Sequence, residues 1–212
     1  MTAADSRQRR NLRLTLLGIG AMASPRYRPA GLLLEYRGVR VMLDGGPGAA
    51  ASGRLDGWLV TDERCELMAA IRRLAKRRGT TPSCSRMRVG ELSISPRSVI
   101  HTSHPAYGYL IRTASRRIVW APEFYRFPRW AYGADLMFAE ASGWSRPIRF
   151  AHGVGGHAAA LRVAEQARRH GVRRLIFAHI GRPTLRALDR GERFPFGEQG
   201  RENQVYGLSN AV

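Results

Sequence analysis

The spacing of apolar positions changes period along the chain. Residues 11–20, NLRLTLLGIG, alternate and end in Gly, the pattern of a half-buried strand running into a turn. Residues 30–46, AGLLLEYRGVRVMLDGG, hold two β-rich runs about Arg37-Gly38 and predict a hairpin. DGWLVT (56–61) predicts a buried strand. The period then becomes helical. Leu67, Met68, Ile71, Leu74 and Ala75 share one face, Arg72, Arg73, Lys76 and Arg77 the other, and Gly79 ends the helix. GTTPSCS reads as a loop. RVGELSIS, GYLIRT (108–113), RIVWAPE (117–123) and ADLMFAEAS (134–142) predict strands, with ASRR as a turn. HAAALRVAEQARRHG (157–171) predicts an amphipathic helix, VRRLIFAHI (172–180) a strand and TLRALDRG a short helix. Residues 193–212 are polar and Gly-rich and read as loop, and residues 1–10 as a flexible end. No internal repeat or linker interrupts the pattern, so a single domain over 1–212 is expected. Strands first, then alternating helix and strand, suit two sheets with helices packed outside.

Charge changes the picture next. The 212 residues carry 35 basic against 16 acidic side chains, a formal charge of +19, and every basic residue except Lys76 is Arg. A coding bias accounts for Arg over Lys but not for the excess over acids. The excess is the footprint of a polyanionic partner, RNA or a phosphorylated small molecule. A protein partner or a second copy of the chain is the alternative. The apolar runs fall short of the roughly 20 residues of a membrane span. The basic residues before the patch LTLLGIG raise a signal peptide, but the patch is short and reads better as a strand. Cys65 and Cys84 form no disulfide framework and no CxxC pair, so a cytoplasmic protein with reduced thiols is expected.

The candidate chemistry starts at Thr61-Asp62-Glu63-Arg64-Cys65-Glu66-Leu67, between a strand and a helix, where α/β layers build sites. This stretch resembles the Thr-His-x-His-x-Asp-His motif of the metallo-β-lactamase fold, especially its ribonuclease Z and cyclic-phosphodiesterase branches. Thr61 keeps its place. Asp62, Arg64, Glu66 and Leu67 stand where that motif has its ligands. Other segments carry the resemblance in the same order. Asp44, Gly46 and Gly48 are similar to an Asp-x-Gly-x-Gly turn. HTSHPAYGYLI is similar to a His segment before a Gly-Tyr strand, and points to His101, His104 and Tyr107 as substrate-binding residues. FAEAS resembles a His-Glu-Ala-Thr motif that keeps Glu140. His157 and His179 match the histidines of a His-Ser-Thr helix and a following strand, and Glu123 stands where the family has a bridging Asp.

The resemblance implies a four-layer αββα sandwich and a hydrolase acting on a phosphodiester or another anionic substrate. It also implies a departure. Two cations of a dinuclear hydrolase need several imidazoles and carboxylates. Leu67 offers no ligand atom, and Arg64 brings a permanent positive charge into a cation site. The dinuclear centre is therefore expected to be lost and no cofactor present. Arg64 would then replace the cation by pairing with Asp62, Glu66 or Glu123, since buried charges persist when they neutralise one another. A single Zn, Mn or Fe ion on His179, Glu123 and one of Asp62 or Glu66 is the alternative. Glu140 and His157 correspond to a proton-transfer pair, the arrangement acid–base catalysis needs. Equally, they read as a hydrogen bond tying a helix to a strand. The sequence lacks an inserted arm of the kind ribonuclease Z uses to grip tRNA, and a non-catalytic relative binding RNA or protein through Arg-rich faces is the competing reading.

Several further residues are ambiguous in sequence. Trp120, Phe124, Tyr125, Phe127, Trp130 and Tyr132, interleaved with Arg126 and Arg129, read as a lid packed over the site or as a stacking surface for single strands. GVGGH (153–157) reads as a turn into a helix N-terminus that could bind an anion. His152 reads as a loop residue, and His170 suits a helix C-terminus.

Overall fold

The hairpin at Arg37-Gly38 is formed by β2 (Gly31–Tyr36) and β3 (Val39–Asp44) in the computed structural model, which describes residues 12–151 and 154–207. Arg37 and Gly38 both take positive φ, 51° and 81°, as a two-residue turn matched to strand twist requires. Around this hairpin, β1 (Arg13–Gly18), β4 (Gly57–Leu59), β5 (Pro82–Ser83) and β15 (Gln204–Tyr206) complete a six-stranded sheet in the order β15-β1-β2-β3-β4-β5. A second sheet has the order β14-β13-β10-β9-β8-β7-β6. Its strands are β6 (Met87–Val89), β7 (Leu92–Val99), β8 (Ala106–Arg112), β9 (Arg117–Ala121), β10 (Leu136–Ala141), β13 (Leu175–Ile180) and β14 (Glu198–Gln199). β11 (Ile148–Arg149) and β12 (Gly156–His157) form a separate two-stranded ribbon. The helices are α1 (Met68–Lys76), α2 (Ala160–Arg169) and α3 (Arg182–Asp189).

Alternation on β2 explains the layering. Leu32 and Leu34 enter the core between the sheets with Leu14, Leu16, Ile94, Ile111, Val119 and Phe138. Leu33, between them, faces the other way and packs with Met42, Trp58, Val60, Met68, Ile71 and Ala75 under α1. On the far side, α2 lays Ala160, Val163, Ala164 and Ala167 on β10 and β13, which are buried along their whole length. The result is the expected α/β architecture of four layers, helix–sheet–sheet–helix. Each buried Leu, Ile or Val contributes about 1.5–3 kcal/mol.

Four segments differ from the sequence reading. RVGELSIS is two strands, β6 and β7, folded at Gly90-Glu91, with Met87 opposite Ile94. The loop GTTPSCS contributes β5, and the tail from residue 193 contributes β14 and β15 at the edges of the two sheets. Strand addition uses backbone N–H and C=O groups, so a polar segment joins a sheet edge without an apolar pattern. One apolar anchor suffices here: Tyr206 is buried and packs edge-on against Phe138. The helix expected from residue 157 starts at Ala160, and His157 belongs to β12. Residues 1–10 and His152 lie outside the described residues.

Candidate active site

The carboxyl ends of parallel strands meet at one edge of the sandwich, the usual site of chemistry in such layers. β3 ends in Asp44, β4 leads to Asp62, β9 leads to Glu123, β10 carries Glu140 and β13 carries His179. A register shift between Ala139 and Glu140 skips Ala178 and sets Glu140 opposite His179. The β11–β12 ribbon brings His157, and the loop after β7 brings His101 and His104.

His101, Glu123, His179, Glu140 and His157 form one continuous hydrogen-bonded network. Glu123 accepts from His101 Nε2 and His179 Nε2, both at 2.9 Å. His179 Nδ1 lies 2.9 Å from Ser142 Oγ and 3.2 Å from Glu140 Oε1. Glu140, fully buried, accepts from His157 Nδ1 at 2.7 Å and from the Ser142 and Phe124 N–H groups at 2.7 and 3.3 Å. His101 Nδ1 lies 3.0 Å from the Gly156 carbonyl oxygen. His101 thus donates from both ring nitrogens, to Glu123 and to a carbonyl, which makes it an imidazolium. His179 faces carboxylates on both sides. Burial opposes its charge, yet Glu123 and Glu140 lift its pKa to about 10. Burial likewise opposes ionisation of Glu140, but His157 and His179 hold it at about 2, and Glu123 is held well below the usual carboxylate range by His179 and His101. His157 gives Nδ1 to Glu140, and among the described residues nothing bonds its Nε2.

Asp62 is also paired, but not as the sequence analysis anticipated. Its Oδ2 lies 2.8 Å from His104 Nε2, and its Oδ1 accepts the Arg64 N–H at 2.7 Å. That second bond closes an Asx turn and directs residue 64 outward. Arg64 is exposed and has no ion pair within 4 Å among the described residues, and Glu66 is exposed beside it. The partners of Asp62, Glu123 and Glu140 are therefore imidazoles and not the Arg64 guanidinium. Leu67 packs against the smaller core under α1. Tyr107 sits on β8, outside the cleft wall, and gives its N–H to the Thr61 carbonyl at 2.8 Å. Asp44 accepts from Thr61 N, Thr61 Oγ1 and Trp120 Nε1 at 2.7, 3.0 and 2.6 Å, while burial pushes its carboxyl up to about 7.

The network floors a cleft of about 440 Å³. Arg64 and Arg182 stand exposed on its wall, and Ile148 and Phe150 form an apolar side, with Phe150 edge-on to His101 and His157. Sequence reasoning missed Ser142, Phe150 and Arg182. Ser142 takes the Thr place of the FAEAS motif and could have been found there. Phe150 and Arg182 carry no signal of their own. The aromatic cluster divides. Trp120 and Phe124 are fully buried, and Tyr132 stacks on His170 at 3.8 Å, where His170 caps α2. The α2 N-terminus offers little to an anion, because the Ala160 and Leu161 N–H groups bond the Gly143 and Trp144 carbonyls. Burial pushes the Cys65 and Cys84 thiols up to about 12, which makes them poor nucleophiles and ligands.

The donor set decides how a metal would fit. Of the motif positions 62, 64, 66 and 67, two offer carboxylates, one an exposed guanidinium and one an aliphatic chain. Glu140, His157 and His179 place three ligand atoms within 4.8 Å of one another and could hold one metal ion. Such an ion would take one ring nitrogen from each histidine and a Glu140 oxygen, the same groups that now hydrogen-bond one another.

No family profile and no curated protein matches the sequence. Solved structures do match by shape. The metallo-β-lactamase fold protein YhfI from Bacillus subtilis superposes with a TM-score of 0.70 at 15% identity, over 92% of this chain and 99% of that one. A diphosphatase of the PhnP family gives 0.66 at 15%, over 93% and 97%. The short form of human tRNase Z gives 0.66 at 13%, over 93% and 100%. With two sheets and flanking helices that superpose on these structures, the chain has the metallo-β-lactamase fold.

Proposed function

We propose that the chain is a divergent hydrolase-like protein that acts on a phosphodiester or another anionic substrate without a dinuclear metal centre. The observation that carries this reading is His157. Its Nδ1 is fixed on buried Glu140 at 2.7 Å, and its Nε2 has no partner among the described residues in a cleft edged by Arg64 and Arg182. A neutral imidazole so held has its lone pair on Nε2, where it takes a proton from an attacking water. The imidazolium that forms is stabilised by Glu140 and returns the proton to a leaving oxygen. Arg182, Arg64 and His104 supply positive or donor groups for the substrate's anionic oxygens. Solved relatives in shape include a diphosphatase, tRNase Z and Zn²⁺-bound PqqB, which supports an anionic substrate and keeps a single divalent ion at Glu140, His157 and His179 as the rival electrophile. We place the protein in the cytoplasm, where its two free thiols stay reduced.

Hydrolysis of bis(p-nitrophenyl) phosphate by chelator-treated protein tests this directly. Turnover should survive the chelator, fall at least about 100-fold in His157→Ala with an unchanged circular dichroism spectrum, and fall similarly in Glu140→Gln. Activity that vanishes with the chelator and returns with zinc would make the three-residue metal site the working centre. No turnover in any form, with retained polyanion binding, would leave the non-catalytic reading.

A further inference from the structure

A second depression lies behind the wall of the cleft. It has a volume of about 460 Å³ and is bounded by Tyr125, Phe127, Arg126, Arg149, Arg162 and Gln166, with small apolar residues between them. The two depressions share the β11–β12 ribbon. Ile148 and Phe150 face the cleft, whereas Pro147 and Arg149, in alternation with them, face the groove. On the other strand of the ribbon His157 faces the cleft, and Ala158, just beyond it, faces the groove.

The charge of this groove has no internal answer. Its lining contains three arginines and no acidic residue. Among the described residues none of the three has a carboxylate within 4 Å, unlike Arg26, Arg28, Arg40, Arg174 and Arg190, which are paired elsewhere on the surface. Tyr125 and Phe127 add aromatic surface, and the Gln166 amide adds both a donor and an acceptor.

We infer that this groove binds a nucleoside polyphosphate. Guanidinium groups recognise phosphate oxygens in paired hydrogen bonds, and three of them around one cavity match several phosphates in tandem. A single-stranded polynucleotide presents one charge per nucleotide and would spread such arginines along a track. The volume lies within the usual range for a small-molecule site. Tyr125 offers stacking to a base beside Phe127, which is itself packed against Phe124 and Tyr132, and Gln166 can bond the base's polar edge. The inference concerns a site separate from the catalytic cleft and stands whether or not the cleft turns over a substrate.

Isothermal titration with ATP, ADP, adenosine and inorganic tripolyphosphate tests it. ATP should bind more tightly than ADP, adenosine should bind weakly, and tripolyphosphate should bind less tightly than ATP. Arg149→Ala and Arg162→Ala should each weaken ATP at least about 10-fold, in line with loss of a charge-assisted contact. Tyr125→Ala should weaken ATP about 5-fold or more while leaving tripolyphosphate unchanged. Arg72→Ala, on the exposed face of α1, controls for general charge and should change neither. The inference fails if ATP does not bind, if Arg72→Ala weakens it as much as the groove variants, or if Arg64→Ala and Arg182→Ala abolish binding while groove variants do not. It also fails if a short oligouridylate binds the groove more tightly than ATP.

Discussion

Replacing Glu140 by Gln removes the buried charge and one of the two acceptor oxygens that serve His157, His179 and two backbone N–H groups, and should cost about 3–5 kcal/mol in urea unfolding, the range for breaking a buried charge pair. The same pairs make stability depend on pH in two directions. Glu140 is depressed from 4.5 to about 2, so its contribution is present above 4.5 and is lost as the pH falls towards 2. His179 is raised from 6.5 to about 10, so its contribution is complete below 6.5 and is lost as the pH rises through 10. The contribution of this pair should therefore peak between pH 4.5 and 6.5, and Glu140→Gln should flatten the acid limb of the urea midpoint against pH. An acid limb unchanged in the variant would show that other carboxylates set it. Gly155 marks a backbone constraint beside the same residues. Its φ is +77°, and a Cβ there would stand 1.9 Å from the His101 carbonyl oxygen. Gly155→Ala should exceed the roughly 1–2 kcal/mol of a left-handed alanine and disturb His101 and His157 together.

Elements position the site by where strands end and how they register. Had β10 and β13 paired without the shift at Ala139, Glu140 would face Ala178 and the Glu140–His179 contact would be lost. The hydrophobic pattern predicts both strands correctly and says nothing of that shift, because a bulge of one residue leaves the apolar run intact. The tail teaches the same point. Its composition reads as loop, yet β15 pairs with β1 and buries Tyr206. Tyr206→Ala should cost about 3–5 kcal/mol, as for other large aromatic truncations in a core. A loop residue would cost within about 0.5 kcal/mol, and thermal or urea unfolding separates the two. Elements with long periodic faces were legible: β2, β3, α1 and α2 are where alternation and helical spacing place them, within a few residues. β5, β6 and β14 were not, since two or three residues carry no period.

At the scale of the whole molecule, the charge of +19 predicts that affinity for any polyanion falls steeply with salt, by a slope of about −0.7 per phosphate contact for a single strand. A polynucleotide affinity that barely changes between low and high salt would remove electrostatics as the driving term. No helix among the described residues is long and apolar enough to cross a membrane, in agreement with the short apolar runs. The sequence by itself determined the class of the fold, because strand and helix periods and their order leave few ways to bury both faces of two sheets. It also fixes that Leu67, at a position where the resembled motif has a ligand, offers no donor atom in any conformation. Only the tertiary structure decided which side chains stand beside the carboxylates. Arg64 was the nearest basic residue along the chain, but an Asx turn points it to solvent. His101, His104, His157 and His179, up to 117 residues from Asp62 in the sequence, meet the acids where the strand ends converge. Sequence distance does not measure Coulombic distance, and a buried carboxylate is neutralised by whichever cation the packing brings within reach.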